Sequence, residues 1–316
     1  DVVHLNNIQY HLTPSIILEI NKWRKETKKE CKIVYTTHDY QLVCPSHGMF
    51  DVDMKPCERC LDGHYIHCLQ TKCLKNSRAK SLLGTLDGYM WKYSKAYSYV
   101  DAYICCSFFL KSKLDTQKRF RDKTIGLHNF KKEMPHLDNI QKKGYVLEFG
   151  HLSRDKGTDT LLEVAKKMPN TEFVFIGYGP STDKMKDIPN VKYLGFKTGE
   201  ELYRIIAEAA ISVCPSEWYE NCPYSVMESV LLGTPVVGSK MGGIPELIEP
   251  GKTGELFEAG NVEDLMKAIK KVLQTQDVLE RYTKNCSQVK YETTESYYIK
   301  LMKIYRGEKN VEQISS

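Results

Sequence analysis

The stretch that decides the fold runs from Ile211 to Val237 and reads ISVCPSEWYENCPYSVMESVLLGTPVV. Ile211 to Cys214 is a short, mostly apolar stretch, interrupted only by Ser212, that predicts a buried strand. Pro223 suits the opening turn of a helix over 223–232, because its missing N–H would find no intrahelical partner there. Gly233-Thr234 then turns the chain into a second strand at Pro235 to Val237. Strand, helix and strand in so few residues imply two parallel strands joined by a right-handed crossover.

The same rhythm extends to either side. Strands are expected at 145–149, 173–176, 191–194 and 254–257, and helices at 158–168, 199–210 and 262–274. That alternation predicts a doubly wound parallel sheet, whose ligands sit at the carboxyl ends of its strands. Toward the N-terminus, strands are expected at 2–5, 33–37 and 102–106. A helix opening at Thr13-Pro14 carries Ile16, Ile17, Ile20 and Trp23 at helical spacing, and a further helical region spans 81–99. Three or four strands in 1–135 are few for a complete domain of this kind. Lys131 to Lys143 is a polar stretch around Pro135 and reads as a linker. The expected organisation is a first domain over 1–138, a second over 139–293, and a final helix with tail over 294–316. In that last helix Tyr297, Tyr298, Leu301, Met302 and Tyr305 recur at helical spacing.

The 316 residues are 41% hydrophobic and 27% charged, which suits a folded globular chain and not a fibrous or disordered one. No run approaches the roughly 18 apolar residues that span a bilayer. The start, Asp1-Val2-Val3-His4-Leu5, lacks the basic and apolar regions of a secretory leader. Because it already reads as a buried strand without a leading Met, the N-terminus is expected to be incomplete. Net charge is +5, with residues 1–150 summing to +8 and 151–316 to −3. A basic first half suits an anionic partner, and a merely solvated basic face is the alternative. A nucleic acid is not the expected partner, because the basic residues lack interleaved stacking aromatics.

Three loops follow strand ends. Gly150-His151-Leu152-Ser153-Arg154-Asp155-Lys156-Gly157 combines backbone freedom with cations ahead of a helix, a phosphate-holding arrangement; an ordinary polar turn fits it too. Gly177-Tyr178-Gly179-Pro180 is a fragment of a dinucleotide fingerprint without its third glycine, and a plain Gly-Pro turn reads it equally well. The third loop carries Glu220, and the helix behind it carries Glu228. Carboxylates accept two hydrogen bonds at once and so suit vicinal sugar hydroxyls, although any single Glu is more simply a solvated surface group. Gly242-Gly243 makes a further turn toward the same crevice.

Eleven cysteines without a secretory leader predict reduced thiols and a cytoplasmic chain. Cys57, Cys60, Cys68 and Cys73 fall within seventeen residues and have the thiol count of a structural zinc site. Their spacing is not that of a standard ribbon, and reduced cysteines packed under a loop, or a disulfide formed only in vitro, are the alternatives.

Taken together, Glu220 with Glu228 eight positions on, Gly233-Thr234-Pro235-Val236-Val237, Gly242-Gly243, Glu246 and Gly251-Lys252-Thr253-Gly254 carry a resemblance. With the two glycine loops and Pro215-Ser216, they resemble the donor domain of the retaining GT-B glycosyltransferases of family GT4, the glycosyl transferases group 1. The resemblance covers 144–275. More loosely, Asp1 to His4, Thr36-Thr37-His38-Asp39 and Ile104 to Ser107 resemble the later part of the acceptor domain. It implies a GT-B fold, two Rossmann-like doubly wound domains facing a central cleft, the first incomplete, with the last helix crossing back to the first domain.

It also implies roles. Lys156 would contact the donor diphosphate and stabilise the leaving group, so no metal would be needed for catalysis. Glu220 would lie against the donor sugar, with Asn221, Cys222, Pro223 and Tyr224 around sugar and phosphate. Glu228 would accept from the ribose hydroxyls, and His38 would stand near the reacting sugar. Gly150, Arg154, Gly177 and Gly179 belong to the donor-binding loops. Where such enzymes usually carry Arg, this chain has His151, only partly charged near neutral pH. That departure keeps a non-catalytic sugar-nucleotide-binding subunit as the alternative. The implied partners are a UDP- or GDP-linked sugar and a saccharide or lipid-linked acceptor. The setting would be cell-surface polysaccharide synthesis, with peripheral contact at the inner face of an anionic membrane.

Overall fold

The computed structural model describes residues 1–9 and 12–308. They form two compact units, one holding residues 1–129 with the helix from Thr294, the other spanning Phe130–Thr293. The division falls ahead of the boundary expected at 138. Its physical cause is that the irregular 130–144 segment is tied to the second unit. Lys131 donates its backbone N–H to Glu292 (2.8 Å), and Lys143 donates to Glu208 (2.8 Å).

In the first unit, β1 (Val2–Asn6), β2 (Lys32–Thr37), β3 (Ala102–Cys105) and β4 (Thr124–Gly126) form a parallel sheet in that order. The three-residue β4 was not expected; Thr124-Ile125-Gly126 is too short to show a period. Helix Thr294–Arg306 packs Ile304, Leu301 and Tyr297 against Val34 and Ile104 of this sheet. His4 fixes it further, bonding Tyr305 Oη through Nδ1 (2.7 Å) and Thr36 Oγ1 through Nε2 (2.7 Å).

The second unit has six parallel strands, β5 (Val146–His151), β6 (Phe173–Tyr178), β7 (Val191–Tyr193), β8 (Ile211–Cys214), β9 (Val236–Ser239) and β10 (Gly254–Phe257). Their order is β10-β9-β8-β5-β6-β7. Alternate residues serve opposite faces, as the strand period of two requires. Val146, Phe173, Phe175 and Ile211 pack with helices Thr158–Lys167 and Val262–Val272. Leu147, Val174 and Ile176 pack with helix Gly199–Glu208 on the other side. Both faces are therefore covered, as in doubly wound sheets. Helix Gln276–Cys286 was not foreseen; it lies beyond the last periodic strand and buries Leu279 and Tyr282 in the first of these clusters. Among the described residues no helix is long and apolar enough to cross a membrane.

Candidate active site

The sheet order reverses between β5 and β8, which pair directly. The helix after β5 covers one face, and the helix after β8, Tyr224–Leu231, lies beside Gly199–Glu208 on the other. Chains leaving adjacent strand ends in opposite directions open a crevice there. In this protein it is a cavity of about 350 Å³ whose walls include Glu148, Gly150, His151, Lys156, Ser216, Glu220, Pro223, Ser225 and Glu228.

Two glycines set its walls. Gly157 caps the helix Thr158–Lys167 at φ +78°, and a Cβ there would stand 1.9 Å from the Pro215 carbonyl oxygen. Only glycine lets the Lys156 loop press against the end of β8. Gly242, at φ +61°, meets the Glu220 backbone equally closely, with its Cβ position 1.9 Å from the Glu220 carbonyl oxygen. Gly243 donates its N–H to that same carbonyl at 2.7 Å, so the turn fixes where Glu220 stands.

Lys156 Nζ and Glu220 Oε1 form an ion pair at 2.6 Å, half-withdrawn from solvent. Ser216 Oγ donates to the same carboxylate oxygen at 3.2 Å. The ammonium also lies 4.4 Å from the centroid of the Trp218 ring, within reach of a cation–π attraction. A second pair joins Glu228 to Lys131, whose ammonium stands 5.4 Å from the Tyr224 ring. Lys131 escaped sequence reasoning because it sits in a polar linker, and only the backbone bond to Glu292 brings it here. The wall thus carries two carboxylates, each facing a lysine that an anion can attract, beside the first amides of a helix.

Glu148 was missed altogether. It follows Val146 on the strand face that otherwise carries apolar core, where a hydrophobe is the ordinary occupant. It is 4% exposed, and its Oε1 accepts from Thr158 Oγ1 at 2.7 Å. Burial raises its pKa to about 8; the Thr158 bond opposes that rise and Asp159 adds to it. Nearby Cys214 is likewise pushed up to about 12 by burial.

Of the other expected donor-site residues, Gly177 pairs with Gly150 across β5 and β6, and Gly179 follows that strand end. Arg154 is exposed near Asp159 and is not part of the cavity wall. His151 is exposed at the end of β5, edge-on to Tyr178 at 5.5 Å between centroids. Pro223 stands at the cap just ahead of Tyr224, one place earlier than the first helical turn expected for it. Asn221 and the buried Cys222 lie in the loop before that cap. His38 belongs to the first unit, at the end of β2, where Nε2 hydrogen-bonds Asn6 Oδ1 at 3.1 Å. Desolvation lowers its pKa, partly offset by Asp39.

The cysteine excursion, also in the first unit, gathers Cys44, Cys57, Cys60, Cys68 and Cys73 around a cavity of about 10 Å³. Cys68 and Cys73 share a hydrogen bond at 2.7 Å between sulfurs. Of this pair Cys73 ionises first, since the Cys68 thiol then donates to it. His64 turns to Asp62 (2.6 Å) and His67 to Gln70 (2.9 Å). Among the described residues no group of three or more His, Cys, Asp or Glu side chains is arranged to hold a metal ion.

Comparison with known proteins gives a consistent picture. Residues 129–289 match the family described as glycosyl transferases group 1. The sulfoquinovosyl transferase SQD2 of Arabidopsis thaliana is 33% identical over 146 residues, covering 44% of this chain and 28% of that protein. The amylovoran biosynthesis glycosyltransferase AmsK of Erwinia amylovora is 30% identical over 166 residues, covering 48% and 41%. The chain thus spans less than half the length of either relative. Among solved structures, Alr3699/HepE of Anabaena, in complex with UDP, superposes with a TM-score of 0.69 at 16% identity, over 97% of this chain and 79% of that one. That likeness extends through both units and agrees with a GT-B fold.

Proposed function

We propose that this chain, which belongs to the glycosyl transferases group 1 family, moves a sugar from a nucleoside diphosphate to a saccharide or lipid-linked saccharide, with retention of anomeric configuration. The observation that carries this reading is the pair of lysine–carboxylate couples, Lys156–Glu220 and Lys131–Glu228, at the cavity between β5 and β8. One couple serves the reacting end of the donor and the other its ribose. Lys156 stabilises negative charge as the diphosphate leaves, which is electrostatic catalysis by a preorganised cation. Glu220, held by Ser216 and the Gly243 N–H, orients the sugar. Glu228 accepts from the ribose hydroxyls. The complex of the similar Anabaena protein with UDP supports a UDP-linked donor, with GDP as the competing base. The polysaccharide-synthesis relative supports a saccharide acceptor, and the basic first half of the sequence supports work at an anionic membrane surface.

A thermal-shift series with UDP, GDP, ADP and CMP tests the donor site. A ligand at a hundred times its dissociation constant adds about 2.7 kcal/mol of stability, a readily measured shift. UDP or GDP is expected to give the largest shift, and Glu228→Gln to weaken that binding by about 1–3 kcal/mol through a lost charged acceptor. If no nucleotide raises the melting temperature, the donor-site assignment is wrong. Exposed His151, in place of a permanent cation, favours a second reading as a non-catalytic sugar-nucleotide-binding subunit. Turnover of a labelled nucleotide sugar separates the two.

A further inference from the structure

The cavity contains a polar group that the donor reading leaves without work. Glu148 Oε2 is buried and has no hydrogen-bond partner among the described residues, while Oε1 is taken by Thr158. Glu148 is among the residues that line the same cavity as Lys156 and Glu220. A buried polar atom left unbonded is costly, and an acid on an otherwise apolar strand face requires a reason.

Charge decides which form of Glu148 the site tolerates. Lys156 and Lys131 are already matched by Glu220 and Glu228. An ionised Glu148 would add a third carboxylate with no cation of its own, in the place where an anion must bind. A protonated Glu148 adds no charge and turns Oε2 into a donor. We propose that Glu148 binds the donor as a neutral carboxylic acid, its Oε2–H donating to a phosphate oxygen while Oε1 stays on Thr158.

Burial and the charge of Asp159 favour this form, and the Thr158 bond to Oε1 opposes it without cancelling the rise; the thiol of Cys214 on β8 adds no charge, since it stays protonated far above neutrality. Lys156, Glu220, Glu228 and His151 are the other charged or titratable groups on the cavity wall. With burial placing the acid near a pKa of about 8, the binding-competent form predominates at pH 7 and is the minority at pH 9.

This inference rests on the donor-site reading above and extends it to a new residue. The test is the dissociation constant of UDP, with GDP in parallel, by calorimetry at pH 7 and pH 9 for the parent chain, Glu148→Gln and Glu148→Leu. Gln keeps an acceptor for Thr158 and a donor for the ligand, and cannot ionise. For the tighter nucleotide, the parent is expected to weaken by on the order of tenfold between the two pH values, as linkage to one proton requires. Glu148→Gln should bind like the parent at pH 7 and lose that tenfold dependence. Glu148→Leu should bind more weakly at both. If Glu148→Gln shows the same pH dependence as the parent, or if Glu148→Leu binds as tightly as the parent at pH 7, this proposal is overturned and the donor site stands. If the parent binds neither nucleotide at pH 7, the donor-site reading itself fails and takes this proposal with it.

Discussion

Lys156→Ala is expected to lower sugar transfer by on the order of 10²–10³-fold while leaving the chain folded. Lys156 stands in the loop that Gly157 presses against the end of β8, and its ammonium is the cation paired with Glu220 at 2.6 Å. Departure of a nucleoside diphosphate builds negative charge, and a preorganised positive group beside it lowers the barrier without reorganisation. Removing one such group from a water-poor site typically costs about 2.7–4 kcal/mol in the transition state. The fold should survive, because the pair is half-withdrawn and Ser216 still bonds Glu220. Steady-state release of nucleoside diphosphate, with folding checked by circular dichroism, measures the effect. The deficit should appear in kcat more than in KM, since the charge develops after binding. A variant with parental kcat would mean that another cation stabilises the leaving group.

Gly242→Ala should both destabilise the second unit and disable the site. Forcing a side chain into a left-handed conformation costs about 1–2 kcal/mol. Here there is a second penalty, because the new Cβ would stand 1.9 Å from the Glu220 carbonyl oxygen and 2.8 Å from its nitrogen. Neither atom belongs to a flexible side chain, so the loop itself must move, and the Gly243–Glu220 bond moves with it. Gly251→Ala is the matched control. Its φ is +80°, also left-handed, but nothing stands within 4 Å of the added Cβ. Denaturant unfolding of both variants should show Gly242→Ala the less stable by more than about 1 kcal/mol, with donor binding lost only in Gly242→Ala. Equal stability and equal binding would mean that this turn does not position Glu220.

The second unit was legible because its strands are buried on both faces and its helices are periodic. Phe173 to Ile176 announces itself as a continuous apolar run and Ile211 to Cys214 as one broken only by Ser212, and the loop glycines punctuate them. Lys156, Glu220 and Glu228 were legible as motif members, because each lies at a strand's carboxyl end or on the helix behind it. What the sequence hid was long-range. Lys131 reaches Glu228 only after the linker folds back on Glu292, a contact with no local signature. Glu148 was hidden for a different reason. It sits inside an apolar run, and a single acid in a strand declares itself only once the neighbours that desolvate it are known. The thiols were legible in number only: four within seventeen residues suit a structural metal site, their spacing is not a standard one, and the hydrogen bond between the free thiols of Cys68 and Cys73 has no signature in the sequence.

The central claim is that the cavity between β5 and β8 is the nucleoside-diphosphate site, and a crystal structure of the chain soaked with UDP or GDP tests it most directly. The account predicts the diphosphate between Lys156 and the helix start at Tyr224, with the ribose hydroxyls on Glu228 and Lys131 released from its present partner. A nucleotide seated elsewhere on the second unit, with the Lys156–Glu220 and Lys131–Glu228 pairs undisturbed, would contradict it.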